Sequence, residues 1–241
     1  TAPTCTEGGY TTFTCSRCDD TYKGAETAAL GHKFENGVCT VCGAKEEGPV
    51  HDCPAKDFSD IPAETHWAHA GIDYAVANKL MNGTGGDKFS PEGTLTRAQL
   101  VTILYRVENE PKVEYKKTFA DVAEGEWYTN AIEWAAANKI VNGVGDGKNF
   151  APADTIPREQ IATILYRYEN FKNGEVKVEG DLKAFPDAAK VSNFATTAMI
   201  WAIENKIITG ASVNNVTYLK PLDSATREQI ASIIMRYLEA E

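Results

Sequence analysis

Beyond Cys53 the chain has no cysteine at all, and its 241 residues include only four histidines and three methionines. Most of the chain therefore has no disulfide framework, no thiolate metal site and no cysteine nucleophile. No Ser, His or Cys triad appears there either. No apolar run reaches the roughly 18 residues needed to cross a bilayer, so no membrane insertion is expected. Positive charge is also short. The formal net charge is −10, and a chain this acidic repels a polyphosphate overall, which disfavours nucleic acid as a partner. The chain begins at Thr1, with no basic stretch leading into an apolar one. This is expected of a processed product or an excised piece, so the missing leader says nothing about compartment.

What is present is a repeat. "LTRAQLVTILYR", "IPREQIATILYR" and "ATREQIASIIMR" write one helix three times. Each belongs to a longer unit that opens on "FSD", "FAD" or "FPD", continues through an alanine-rich apolar stretch to "NKLMNG", "NKIVNG" or "NKIITG", and then reaches the repeated helix. Each unit reads as helix, loop, helix. Trp127, Ile132, Trp134, Ala135 and Ile140 follow a helical period. Lys79, Lys139 and Lys206 are expected in the last turn of the first helix, and Gly83, Gly143 and Gly210 at its C-terminal cap. Thr96 with Gln99, and Thr226 with Gln229, form capping boxes at the second helix; Pro157 replaces the capping threonine in unit two. Leu100, Ile103, Leu104 and Val107 make an apolar stripe, as do Ile161, Ile164, Leu165 and Tyr168. Two helices cannot bury such a stripe alone. The simplest solution is a mainly α bundle with three stripes around a shared pseudo-threefold axis. The predicted divisions are 1–57, 58–117, 118–183 and 184–241.

Arg97, Arg158 and Arg227 fall at the first turn of the second helix, where the macrodipole disfavours a cation. One reading is a local pair with Glu159, Glu228, Asp60, Asp121 or Asp187. The other is an anion pocket, in which free backbone N–H groups and a guanidinium grip a carboxylate. The two readings are compatible, because an acid can hold the arginine for a ligand. "GDGKNF" lacks the ligand run and closing Glu of a calcium loop and reads as a turn.

With "F-x-D", the tryptophan a few residues on, "N-K-x-x-x-G", "F-x-P" and "TRAQ" or "REQ" recurring in order, residues 58 to 239 resemble three tandem S-layer homology modules. The resemblance implies a three-pronged helical fold, monomeric with an internal pseudo-trimer. It further implies non-catalytic anchoring of a secreted protein to the secondary cell-wall polysaccharide of a bacterial surface, through a pyruvylated sugar lodged between modules. On that pattern the carbohydrate site comprises Arg97, Arg158, Arg227, Gly83, Gly143, Gly210, Asp60, Asp121, Trp67 and Trp127. Unit three departs from it, with Phe194 in the tryptophan position and "GASVNNVTYLKP" in place of the glycine-rich loop. The competing readings are a glycosidase using paired carboxylates and a metal-dependent scaffold for other proteins.

The cysteines occupy the head. "CSRC" and "CTVC" are spaced for tetrahedral zinc, with disulfides as the alternative. One ion could take Cys15, Cys18, Cys39 and Cys42. Two could take Cys5, Cys15, Cys18 and His32, then Cys39, Cys42, His51 and Cys53, a scheme that uses all six thiols. Such zinc would be structural, because the head has little apolar core. Residues 1–57 carry five basic and nine acidic side chains, which argues against a nucleic-acid ribbon. His66 and His69 are expected at the surface.

Overall fold

"GYTTFT" and "TYKGAET" are rich in β-branched and aromatic residues, which suit extended backbone. They form strands β1 (Gly9–Thr14) and β2 (Thr21–Thr27), paired antiparallel. The computed structural model describes residues 1–14, 21–35, 38–44 and 53–240. The chain divides into two compact units, Thr1–Asp52 and Cys53–Glu241. The first also holds a short hairpin of β3 (Phe34–Glu35) and β4 (Val38–Cys39). Among its described residues, the buried side chains that could make a core are Cys5 and Cys39.

The second unit holds α1 (His69–Ala77), α2 (Arg97–Val107), α3 (Thr129–Ala137), α4 (Arg158–Asn173), α5 (Thr196–Glu204) and α6 (Arg227–Glu239). Strands β5 (Ala211–Val213) and β6 (Val216–Tyr218) form a hairpin in the third repeat. The expected mainly α, pseudo-threefold three-pronged bundle does not hold. Among the described residues, six α-helices share the chain with three two-stranded antiparallel sheets, so the protein is mixed α and β. Two local causes are visible. The first helix of each repeat is only nine residues long. In the third repeat Asn214 and Asn215 take φ of 50° and 62°, the two-residue turn that closes a hairpin.

The first helices stop because Asn78, Asn138 and Asn205 cap them and the following lysine turns left-handed, with φ of 57° to 59° at Lys79, Lys139 and Lys206. The N–H of the next residue then returns to the third-last helical carbonyl: Leu80 to Ala75 at 2.8 Å, Ile140 to Ala135 at 2.8 Å and Ile207 to Ala202 at 2.9 Å. The lysines thus lie just past the helix rather than in its last turn, and the expected glycine caps sit four residues further on, in the loops.

The helices pack across repeats: α2 against α3, α4 against α5, and α6 against α1. The segments that enter α2, α4 and α6 meet through three hydrogen bonds that close on themselves. Leu95 N donates to Ala225 O, Ala225 N to Ile156 O and Ile156 N to Leu95 O, at 3.1 to 3.3 Å. All three residues are fully buried. Burying a Leu or Ile side chain stabilises by about 1.5–3 kcal/mol, so the closure satisfies backbone groups that burial would otherwise leave costly.

Candidate functional site

Arg97, Arg158 and Arg227 are the first residues of α2, α4 and α6, and each is 5 to 7% exposed. The amides around them are occupied. Arg97 N donates to Asp154 O and Ala98 N to Pro152 O; Arg158 N to Asp223 O and Glu159 N to Pro221 O; Arg227 N to Gly93 O and Glu228 N to Pro91 O. The expected pocket of bare N–H groups is therefore filled by the loop of another repeat. Each guanidinium follows the same route. Arg97 Nε donates to Phe150 O at 2.8 Å, Arg158 Nε to Leu219 O at 3.0 Å and Arg227 Nε to Phe89 O at 2.8 Å. Arg97 and Arg227 also lie over the Phe150 and Phe89 rings, at 4.7 and 4.6 Å.

The same loop residues are held from their amide side by the aspartate of the "F-x-D" motif. Asp60 accepts from Phe89 N and Ser90 N, Asp121 from Phe150 N and Ala151 N, and Asp187 from Leu219 N and Lys220 N, all at 2.7 to 2.9 Å. The second residue of each pair is left-handed without being glycine: Ser90 at φ 57°, Ala151 at 57° and Lys220 at 49°. The carboxylates thus hold a costly backbone conformation. Among the described residues no ion pair joins the three arginines to Asp60, Asp121, Asp187, Glu159 or Glu228. Glu159 accepts from Ser192 N and Oγ instead. A charged donor contributes about 1.5–3 kcal/mol per buried hydrogen bond, against a dipole cost of about 0.3–1 kcal/mol at a helix N-terminus. The carbonyl partners therefore account for a cation at this place. Burial pulls all three guanidinium pKa values down, offset in part by Asp121 and Asp154 at Arg97, Asp223 and Asp187 at Arg158, and Asp60 at Arg227.

Three open hollows lie beside these struts. The first, about 420 Å³, is lined by Asn82, Gly83, Arg106, Trp127 and Arg227. The second, about 330 Å³, is lined by Gly143, Gln160, Arg97, Arg167 and Phe194. The third, about 410 Å³, is lined by Gly210, Ser212, Arg158, Arg236 and Trp67. Each joins the glycine loop and second helix of one repeat to an aromatic of the next and an arginine of the one before. Each has two arginines and no carboxylate in its lining. Trp67, Trp127 and Phe194 are more than half exposed, so they are rims rather than core. Arg106, Arg167 and Arg236 went unread in the sequence, although they end all three copies of the repeated helix string. Gly143 and Gly210 are left-handed at φ 77°, and a Cβ would meet Asn149 O at 2.7 Å in one and Thr217 Cγ2 at 2.6 Å in the other.

The candidate metal ligands separate by unit. In the head, Cys5, His32, Cys39 and Cys42 bring their ligand atoms within 4.8 Å of one another. Cys15, Cys18 and His51 lie outside the described residues. Cys53 belongs to the second unit, where its Sγ donates to Asp73 Oδ1 at 3.2 Å, beside His69. His69 is buried rather than superficial; its Nδ1 meets Pro62 O at 2.8 Å and its Nε2 meets Asp73 Oδ2 at 3.3 Å. Burial, and then Asp73, push the Cys53 thiol pKa up.

Comparison with known proteins defines the class: a cell-wall-associated surface module. The model of the S-layer homology domain matches residues 57–101, 118–162 and 184–231, and the chain belongs to this family. It is 34% identical over 185 residues to an amylopullulanase of Thermoanaerobacterium thermosulfurigenes, covering 76% of this chain and 10% of that protein. It is 30% identical to the surface-layer 125 kDa protein of Lysinibacillus sphaericus, covering 77% and 15%. It is also 30% identical to S-layer protein sap of Bacillus anthracis, covering 75% and 21%. The chain thus spans about a tenth to a fifth of these relatives' length. The family has a cell-wall anchoring role, and the chain is a secreted protein of the bacterial cell surface.

Proposed function

We propose that this chain attaches its parent protein to secondary cell-wall polysaccharide by seating an anionic, pyruvylated terminal sugar in the three hollows, without catalysis. The observation that carries the reading is charge placement. On a chain of net charge −10, each hollow is lined by two arginines and by no acid. A ketal carboxylate is a planar anion that a guanidinium fork can hold with two bonds. The exposed Trp67, Trp127 and Phe194 offer apolar faces for a sugar ring. The glycine loops let the backbone approach closely. Arg97, Arg158 and Arg227 then have a double duty: Nε braces the neighbouring loop, and the remaining donors face the ligand. Among the described residues, the Arg158 guanidinium donates through Nε alone, which leaves it the most spare donors.

The test is co-sedimentation of the full chain with purified sacculi. Retention is expected on intact sacculi, and loss after the secondary polymer is extracted or its pyruvyl groups are removed. Retention that ignores the polymer would sink the reading in favour of a protein-binding scaffold. Turnover of a purified glycan would favour an enzyme.

A further inference from the structure

We infer that Cys5, His32, Cys39 and Cys42 form a tetrahedral zinc site that holds the amino-terminal head together. Three thiols and one imidazole nitrogen converge there in the spacing such an ion demands. A tetrahedron with bonds of about 2.3 Å has edges of about 3.8 Å. Cys5 Sγ and Cys39 Sγ lie 3.8 Å apart, Cys42 Sγ and His32 Nδ1 3.3 Å apart, and all four atoms fall within 4.8 Å of one another. A disulfide needs sulfurs about 2.05 Å apart, so this pair of thiols is unbonded, as all four described cysteines are.

Cys39 and Cys42 sit on one tight turn. Gly43 is left-handed at φ 74°, its N–H returns to Cys39 O at 2.9 Å, and Cys39 N donates to Ala44 O at 2.7 Å. A dication facing three sulfurs draws each cysteine into the thiolate form, and any proton a thiol still carries goes to solvent. His32 binds neutral through Nδ1 and keeps its proton on Nε2.

Soft sulfur with one imidazole in tetrahedral array selects zinc over harder, octahedral ions. The site ties the turn before β1 to the β3–β4 hairpin. In a unit whose described buried side chains are Cys5 and Cys39, the ion takes the place of an apolar core. The ligand set also cuts across both partitions drawn from spacing: it joins Cys39 and Cys42 to Cys5 and His32.

The test uses the full chain, reduced, stripped and reloaded with cobalt(II) as a spectroscopic stand-in. Wild type is expected to show thiolate-to-cobalt charge transfer and intense tetrahedral ligand-field bands, and to hold zinc as purified. Cys5→Ser and His32→Ala should each lose one ion per chain, whereas Cys53→Ser should change nothing. Because Cys5→Ser can unfold the head, His32→Cys is the second probe: it keeps four ligands and should raise the charge-transfer intensity. An unchanged cobalt spectrum in His32→Cys and Cys5→Ser overturns the assignment. So does a Cys5–Cys39 disulfide found by mass spectrometry of the unreduced chain.

Discussion

Arg227 and Phe89 are 138 residues apart in sequence, yet Arg227 Nε donates to Phe89 O at 2.8 Å and the guanidinium sits 4.6 Å from the Phe89 ring centre. The contact joins the last repeat to the first. Arg97 and Phe150, then Arg158 and Leu219, join the others in the same way. The arginine that recurs in the repeat is therefore a fastener between repeats, and it also lines the hollow beside it.

Arg227→Ala should destabilise the second unit by about 2–3 kcal/mol, because Phe89 O and Asn82 O lose a charged donor at a buried place. Arg227→Lys should recover little, since an ammonium cannot make the same forked pair. Urea melts give the stability, and co-sedimentation at a temperature where each variant is folded gives the binding. A fully stable Arg227→Ala variant would contradict the fastening role.

Trp127 and Trp134 should part company. Trp134 is 5% exposed against Tyr105 and Tyr168, and Trp134→Ala should cost about 3–5 kcal/mol. Trp127 is 60% exposed on a hollow's rim. Its replacement by Ala should move stability by no more than about 0.5 kcal/mol while weakening polymer retention severalfold. Equal retention by Trp127→Ala would remove the aromatic from the site.

Lys139→Gly should stabilise. Lys139 is exposed and held at φ 59°, a conformation that glycine adopts without strain. The expected gain is about 0.5–1 kcal/mol, measured as a raised melting temperature. A lowered one would show that the lysine makes a compensating contact.

Stability should fall in acid through Asp60. Burial alone would raise the Asp60 carboxyl pKa, but the Phe89 and Ser90 amides and Lys88 outweigh it and leave it below its usual value. A depressed folded pKa means that the stabilisation is complete above the unfolded value, near 3.9, and is lost as pH falls through the folded one. Wild type should therefore weaken below about pH 4. Asp60→Asn, which can accept but not neutralise, should be weaker at pH 7 and show a shallower acid slope. Parallel pH profiles for the two proteins would show that Asp60 carries none of this dependence.

Local chemistry could be read from sequence, and tertiary partnership could not. The capping boxes at Thr96–Gln99 and Thr226–Gln229 form as spelled, because both partners lie within one turn. The β5–β6 hairpin is equally local, closed by two asparagines between valines. The lysines expected in the last turn of each first helix lie just past its cap, because a left-handed lysine has no compositional mark. The partners of Asp60 and Arg227 are about 30 and 138 residues away, and no spacing rule pairs a carboxylate, a peptide and a guanidinium across repeats. His69 is buried against expectation: Pro62 O, from the segment before α1, meets its Nδ1, and Asp73, one turn on in α1, meets its Nε2.

Pro157 caps α4 without an N–H, so Gln160 has no capping amide to accept from, and it receives Arg97 Nη1 instead. Gln99 and Gln229 stay committed to their own threonine caps. Pro157 thereby sets Arg97 apart, spent on a glutamine, while Arg227 is spent on Asn82 and Arg158 is unspent beyond its brace. Stepwise titration with short polymer fragments should accordingly reveal graded occupancy, so that the tether loosens one berth at a time as salt rises.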